Sequence, residues 1–183
     1  HSGKIVSGSI KIGQSVNLEI NVENRNKSKA NHSATHLLHE SLRRTLGKHV
    51  MQKGSLVSPE RLRFDFSHSK PIENQEIAKI NKIVNDIIEG SSDVQTRIMT
   101  PKEAVNMGAL ALFGEKYGEE VRVVFIGKEN NGFFSTELCG GTHVKNTKEI
   151  GKFKIIGQSS IASGVRRVEA LRDKQLEEYE KAQ

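Results

Sequence analysis

Residues 31–47, NHSATHLLHESLRRTLG, form the strongest helical pattern of the sequence, and the fold assignment starts from them. At about 100° per residue, their apolar side chains share one broad arc. The residues on this arc are Ala34, Leu37, Leu38, Leu42 and Leu46. With Asn31 as its N-cap and Gly47 as its end, the stretch predicts a helix that buries one face. Three histidines flank that face.

The rest of the chain mixes helical patterns with period-2 alternation. The predicted strands are 15–22, 62–66, 94–99, 121–127, 132–138 and 152–157. Further helices are predicted at 72–89, at 100–113 and in the charged tail 172–183. Because helices and strands do not alternate regularly, an α+β fold with a largely antiparallel sheet is expected, rather than a doubly wound fold.

The composition indicates a basic protein of a reducing compartment. Lysine and arginine total 28 against 22 for aspartate and glutamate, which gives a net charge of +6 and a pI near 9.4. This balance favours a polyanionic partner, with nucleic acid as the first candidate. A single cysteine excludes an internal disulfide and favours the cytoplasm. No apolar run approaches a membrane span of about 18 residues, and no targeting segment is recognised. We expect a piece of a longer protein.

Two local residue pairs carry the chemistry of the sequence. His32 and His36 are four apart, which on a helix places both imidazoles on one face. Cys139 and His143 are also four apart, with two glycines between them that permit a tight backbone course. Together these residues form a His, His, Cys, His set typical of a zinc site.

Simpler explanations remain open for each pair. A histidine pair at helical spacing is often surface or core, a lone cysteine is often a buried inert thiol, and glycines often serve only a turn. Ser33 stands where a metalloprotease H-E-x-x-H motif has its glutamate, so a peptidase is disfavoured. A metal with an open position would activate water, whereas four protein ligands would make the site structural. His39 is left out of the set, and His49 and His68 show no partner pattern.

Long segments of the sequence resemble a known family. They are RNKSKANHSATHLLHESLRRTLGKHVMQKGSLVSPERLRFDFSH, STELCGGTHVKNTKEIGKFKI and SSIASGVRRVEA. They closely resemble the internal editing domain of bacterial alanyl-tRNA synthetase, and the paired motifs also occur in free-standing trans-editing proteins and in the threonyl-tRNA synthetase editing domain. The resemblance implies the common editing-domain fold, with Zn²⁺ bound by His32, His36, Cys139 and His143.

The implied activity is hydrolysis of the ester that joins serine or glycine to the terminal adenosine of alanine tRNA. A pocket for alanine cannot exclude glycine sterically and rejects an added hydroxyl only weakly, so a second sieve is needed. Gln52 stands where the family has a glutamine linked to editing. Arg63, Asp65 and Thr142 are further pocket candidates, with surface alternation as the alternative for the first two.

The resemblance also predicts the organisation of the chain and its contacts. Residues 1–28 are expected to end a preceding β-barrel, 29–163 to form the zinc-binding editing domain, and 164–183 to form a helix leading to a C-terminal dimerisation region. The aminoacylation domain, with its ATP and Mg²⁺, is expected elsewhere in the full-length enzyme. Candidate tRNA phosphate contacts, each with an ordinary solvated charge as the alternative, are Arg43, Arg44, Lys48, Lys53, Arg166 and Arg167. The competing hypothesis is a tRNA-binding module whose zinc is purely structural.

Overall fold

The computed structural model describes residues 3–110 and 118–183. Within these residues the chain forms helices, strands and one turn of 3₁₀-helix. The helices are α1 (Val22–Leu46), α2 (Asn74–Glu89), α3 (Pro101–Asn106) and α4 (Asp173–Lys181), and the 3₁₀ turn spans Thr147–Ile150. The strands are β1 (Gln52–Val57), β2 (Leu62–Ser67), β3 (Gln95–Met99), β4 (Val121–Glu129), β5 (Gly132–Leu138), β6 (Phe153–Ala162) and β7 (Val165–Arg172).

The strands form two antiparallel sheets, which confirms the predicted α+β class. One sheet has the order β1-β2-β7-β6 and the other β3-β4-β5. Helix α1 packs against α2, β2 and β5, and α2 packs against β6. The main core lies between these elements, and its fully buried large side chains include Leu37, Leu38, Leu42, Phe64, Phe66 and Phe153. Helix α1 therefore spans from one sheet to the other.

Helix α1 is longer than the sequence pattern predicts. It begins at Val22, because the side chain of Asn21 caps it by accepting a hydrogen bond of 2.9 Å from the amide of Asn24. The predicted cap Asn31 is wrong, since this residue lies inside the helix and is buried. Its amide donates to the carbonyl of Ser58 at 2.6 Å, which ties α1 to the β1–β2 turn.

The predicted strand 15–22 is also wrong. Its apolar side chains alternate as in a strand, but Leu18 is 82 % exposed, and no strand among residues 3–110 and 118–183 pairs with this stretch. An alternating pattern forms a strand only where a neighbouring strand takes up its backbone hydrogen bonds. Whether residues 1–28 end a β-barrel stays a prediction.

The remaining elements follow the sequence closely, apart from strand β1 and the region from β7 onwards. The predicted hairpin is confirmed as β4 and β5, and α3 shows the expected capping box of Thr100 and Glu103. The last part of the helix predicted at 100–113 lies outside the described residues. Strands β1 and β7 were not predicted, and β7 replaces the helix expected from residue 164. Helix α4 buries Leu176 against the body of the protein, and most of its other residues are exposed.

Candidate metal centre

The two predicted residue pairs meet in space. His32 and His36 lie on α1, Cys139 follows the last residue of β5, and His143 lies in the next loop. Their ligand atoms all lie within 4.8 Å of one another. Cys139 Sγ is 3.5 Å from His32 Nε2 and 3.4 Å from His143 Nε2. We call these four residues the tetrad.

The spacing of the donor atoms fits zinc. Around a tetrahedral zinc ion with Zn–S of about 2.3 Å and Zn–N of about 2.0–2.1 Å, a sulfur and a nitrogen donor lie about 3.5 Å apart. The two distances from Cys139 Sγ match this tetrahedral edge. The residues present can therefore hold a metal ion of this class.

His32 and His143 are each oriented by a hydrogen bond of the ring nitrogen that faces away from the sulfur, whereas His36 Nδ1 makes only an ion-pair contact. His32 Nδ1 donates to the carbonyl of Thr142 at 3.2 Å, and His143 Nδ1 lies 3.1 Å from the hydroxyl of Ser33. His36 Nδ1 lies 3.6 Å from a carboxylate oxygen of Glu137. Hydrogen bonds of this kind fix the ring orientation of histidine ligands in metal sites. Nε2 of His32 and His143 is thereby turned towards the cysteine sulfur.

The two glycines of the loop have different roles. A Cβ at Gly141 would collide with the ring of His32, whereas a Cβ at Gly140 would meet nothing within 4 Å. Neither glycine has a positive φ, so the requirement at position 141 is close approach and not backbone conformation. The amide of Gly141 donates to Cys139 Sγ at 3.4 Å, and is thus engaged by the sulfur rather than by the pocket.

The electrostatics of Cys139 and His143 favour the protonation states that bind metal. At His36, by contrast, burial lowers the pKa, but the charges of Glu137 and Cys139 outweigh this effect and raise the pKa. Burial raises the pKa of Cys139, but hydrogen bonds from His143, His32 and His36 outweigh it and lower the pKa to about 3. Burial lowers the pKa of His143 to about 4. A thiolate and a neutral imidazole are the forms of these side chains that coordinate zinc.

Arg122 holds the loop that carries the cysteine. This β4 side chain donates through Nη1 to the carbonyl of Gly141 and, at 3.4 Å, to the carbonyl of Cys139. A guanidinium group offers several donors in a fixed plane and can therefore bind two carbonyls of one loop. Arg122 thus fixes the backbone on which the sulfur is placed.

A pocket of about 150 Å³ opens beside the tetrad. Helix α1, strand β1 and the end of β5 contribute its walls. The lining residues are His32, His36, His39, Arg43, Met51, Gln52, Leu110, Glu137, Leu138 and Cys139. Gln52 lies at the first position of β1, where its amide donates to Ser55 Oγ at 3.3 Å. The structure thus brings Gln52 and three residues of the tetrad, His32, His36 and Cys139, to one cavity.

The other pocket candidates lie elsewhere. Arg63 and Asp65 alternate along β2 with Phe64, which faces the helices, so both point to the opposite face of the sheet. Asp65 accepts two hydrogen bonds from Arg167, at 2.7 and 2.8 Å. Thr142 is exposed, and its backbone carbonyl is the group that contacts His32.

Most of the predicted phosphate contacts are arginines engaged within the protein. Arg44 forms a bidentate pair with Glu129 at 2.7 and 3.1 Å and lies over the ring of Phe134. Arg43 donates to the carbonyl of Val50 at 3.0 Å. Arg166 donates to Gln158, and Arg167 pairs with Asp65. Lys48 and Lys53 are exposed.

Among the described residues, the three histidines outside the tetrad have partners that the sequence did not reveal. His49 Nε2 and His68 Nδ1 lie 2.9 Å apart on the surface, with their rings stacked. His39 lines the pocket, and its Nδ1 lies 3.4 Å from Glu137. Sequence reasoning also missed Ser33, Arg122 and Glu137. Only the position of Glu137, two residues before Cys139, hinted at its role.

Part of the chain matches a known protein family. Residues 121–169 match the family described as the threonyl and alanyl tRNA synthetase second additional domain. The matched segment contains Cys139 and His143, one half of the tetrad. The chain therefore carries a domain of the class shared by threonyl- and alanyl-tRNA synthetases.

The chain is also similar over most of its length to alanine–tRNA ligases. It is 56 % identical over 174 residues to the enzyme of Parvibaculum lavamentivorans, covering 93 % of this chain and 20 % of that protein. The values are 54 % over 171 residues for Sphingopyxis alaskensis, with 93 % and 19 % covered. For Mesorhizobium japonicum they are 52 % over 176 residues, with 93 % and 20 % covered. The chain belongs to the alanyl-tRNA synthetase family and spans about a fifth of the length of these relatives.

In the described part of the chain, no helix has the length and apolar character needed to cross a membrane.

Proposed function

We propose that this chain hydrolyses the ester of wrongly charged alanine tRNA and releases serine or glycine. The observation that carries the proposal is that Gln52 and three residues of the tetrad line one pocket of about 150 Å³. A pocket of this size takes an amino acid and not a folded partner. The alanine–tRNA ligases to which the chain is similar supply the context of an aminoacylated tRNA.

In this proposal His32, His36, Cys139 and His143 hold Zn²⁺. The bound ion supplies a Lewis acid, which polarises carbonyl groups and lowers the pKa of water. Other residues of the chain bind the aminoacyl group and hold the cysteine loop. Gln52 offers both a donor and an acceptor to the aminoacyl group through its amide. Arg122 and Gly141 keep the cysteine loop in place, which fixes the wall of the pocket nearest the sulfur.

The charge of the chain supports a tRNA substrate. The net charge of +6 attracts a polyanion. The exposed residues Lys48 and Lys53 are close in sequence to Gln52, which lines the pocket.

The remaining expectations also stand as proposals. They are the boundaries 1–28, 29–163 and 164–183, a cytoplasmic location, oligomerisation through a C-terminal region, and an ATP- and Mg²⁺-dependent aminoacylation domain elsewhere in the full-length enzyme.

A second candidate function is a tRNA-binding module with a structural metal. It is favoured by the donor set, because four protein ligands close a tetrahedral site. A deacylation assay on seryl-, glycyl- and alanyl-tRNA charged on alanine tRNA separates the two. Turnover of the seryl and glycyl esters with sparing of the alanyl ester supports editing. Stoichiometric zinc without turnover of either mischarged tRNA supports the binding module.

A further inference from the structure

A buried nitrogen next to the tetrad has no hydrogen-bond partner among the described residues. His39 lies one turn beyond His36 on α1 and is 6 % exposed. Its Nδ1 contacts Glu137, but its Nε2 is buried and makes no hydrogen bond to any described residue. A buried polar atom normally finds a partner in protein or in ordered water, because leaving it unpaired costs free energy. The absent partner points to a bound molecule.

A small cavity provides the place for that molecule. It has a volume of about 40 Å³, and its polar lining includes His39, Gln52, Ser55 and Glu137. A water molecule needs about 10–15 Å³ of such space and two to four polar partners. The cavity, which we call the inner cavity, shares five lining residues with the larger pocket. It therefore adjoins the site at which we place the aminoacyl group.

Glu137 determines which side of the imidazole is free. Its carboxylate accepts from Ser135 Oγ at 3.1 Å and lies 3.4 Å from His39 Nδ1. A ring that donates through Nδ1 to a carboxylate keeps Nε2 as an acceptor in its neutral form. The same carboxylate lies 3.6 Å from Nδ1 of His36. One acidic side chain thus lies within ion-pair distance of a tetrad histidine and accepts a hydrogen bond from a histidine of the inner cavity.

We propose that His39 binds the water that hydrolyses the ester, with Nε2 accepting a hydrogen bond from it in the inner cavity. The inference rests on the proposed deacylation. The water oxygen forms a bond to the ester carbonyl carbon, and the bond from that carbon to the ribose oxygen breaks. One proton of the water ends on the ribose hydroxyl, and the other is released when the freed carboxylic acid ionises. No further reactant is needed.

Two substitutions separate this role from a structural one. His39→Asn keeps an amide donor where Nδ1 contacts Glu137 but removes the group at Nε2. His39→Gln places an amide near Nε2 and loses the Nδ1 contact. Single-turnover deacylation of seryl-tRNA, zinc content and Tm are measured for both variants and for the wild-type chain. If the role of His39 lies in its contact with Glu137, His39→Asn is the more active variant; if it lies in binding water, His39→Gln is.

We expect His39→Asn to slow deacylation by about 100-fold or more, the range for a misplaced reactant, while zinc content is unchanged. We expect His39→Gln to be at least tenfold faster than His39→Asn. A His39→Asn rate within about threefold of wild type, or a His39→Gln rate no higher than that of His39→Asn, would overturn the proposal.

A crystal structure of the wild-type chain with zinc tests the same inference without activity. We expect an ordered water within about 3.2 Å of His39 Nε2. An inner cavity without such a water would overturn the inference. Because this test uses the wild-type chain, it holds even if His39→Asn does not fold. If the wild-type chain deacylates no mischarged tRNA, the proposed function fails, and the water at Nε2 still decides whether His39 is a water-binding residue.

Discussion

Gly141 lies against the imidazole of His32, so closely that a Cβ at position 141 would overlap the ring. We predict that Gly141→Ala displaces His32 or the loop of Cys139 and weakens zinc binding by at least tenfold, as for other groups that orient metal ligands. Competition with a chromophoric chelator measures the affinity. The matched control is Gly140→Ala, since position 140 has open space and the same residue change. Equal affinities of the two variants would contradict the assigned role of Gly141.

The tetrad also predicts a link between metal and stability. A ligand present at 100 times its dissociation constant stabilises the folded state by about 2.7 kcal/mol. In a chain of this size each kcal/mol shifts Tm by about 2–4 °C. We therefore expect a chelator to lower the Tm of the wild-type chain and to leave that of Cys139→Ala unchanged. Unaltered zinc stoichiometry and affinity in Cys139→Ala would contradict the assignment of Cys139 as a metal ligand.

Asp65 is expected to act in folding rather than in catalysis. Its carboxylate is buried in a bidentate pair with Arg167 on the sheet face away from the pocket. We predict that Asp65→Ala lowers Tm, because it leaves the guanidinium without its partner and removes a link between β2 and β7. Zinc content and the deacylation rate at a temperature below the transition should stay near wild type. A strong loss of the deacylation rate with an unchanged Tm would indicate that Asp65 acts in the pocket rather than in folding.

Gln52 is expected to behave in the opposite way. Its side chain lines both the pocket and the inner cavity, and Ser55 is the side chain that it contacts. We predict that Gln52→Ala slows deacylation of seryl-tRNA by about tenfold or more while Tm and zinc content change little, because no core contact is lost. Gln75→Ala, the same change at an exposed position of α2 outside the pocket, serves as the control. A normal turnover rate in Gln52→Ala would contradict the role of this residue.

Local spacing explains why the tetrad could be predicted. His32 and His36 fall on one helix face, and Cys139 and His143 share one short loop, so each half is a property of a few neighbouring residues. The predicted hairpin of β4 and β5 likewise depends on local alternation and a turn. Such patterns do not need knowledge of the tertiary fold.

The groups around the tetrad depend on tertiary contacts instead. Ser33, Arg122 and Glu137 acquire their roles only because α1 packs beside β5 and the loop that follows it. Asn31 has the side chain of a helix cap, but a turn distant in sequence captures its amide. Arg63 and Asp65 were placed near the pocket because strand alternation alone does not tell which face meets the helices.

The central claim is editing by a metal-supported pocket, and one time course tests it most directly. Seryl- and alanyl-tRNA, both charged on alanine tRNA, are incubated with the 183-residue chain with and without a zinc chelator. We predict rapid release of serine, slow release of alanine, and loss of serine release once the metal is removed. Serine release no faster than the uncatalysed rate, or equal release of serine and alanine, would contradict the account.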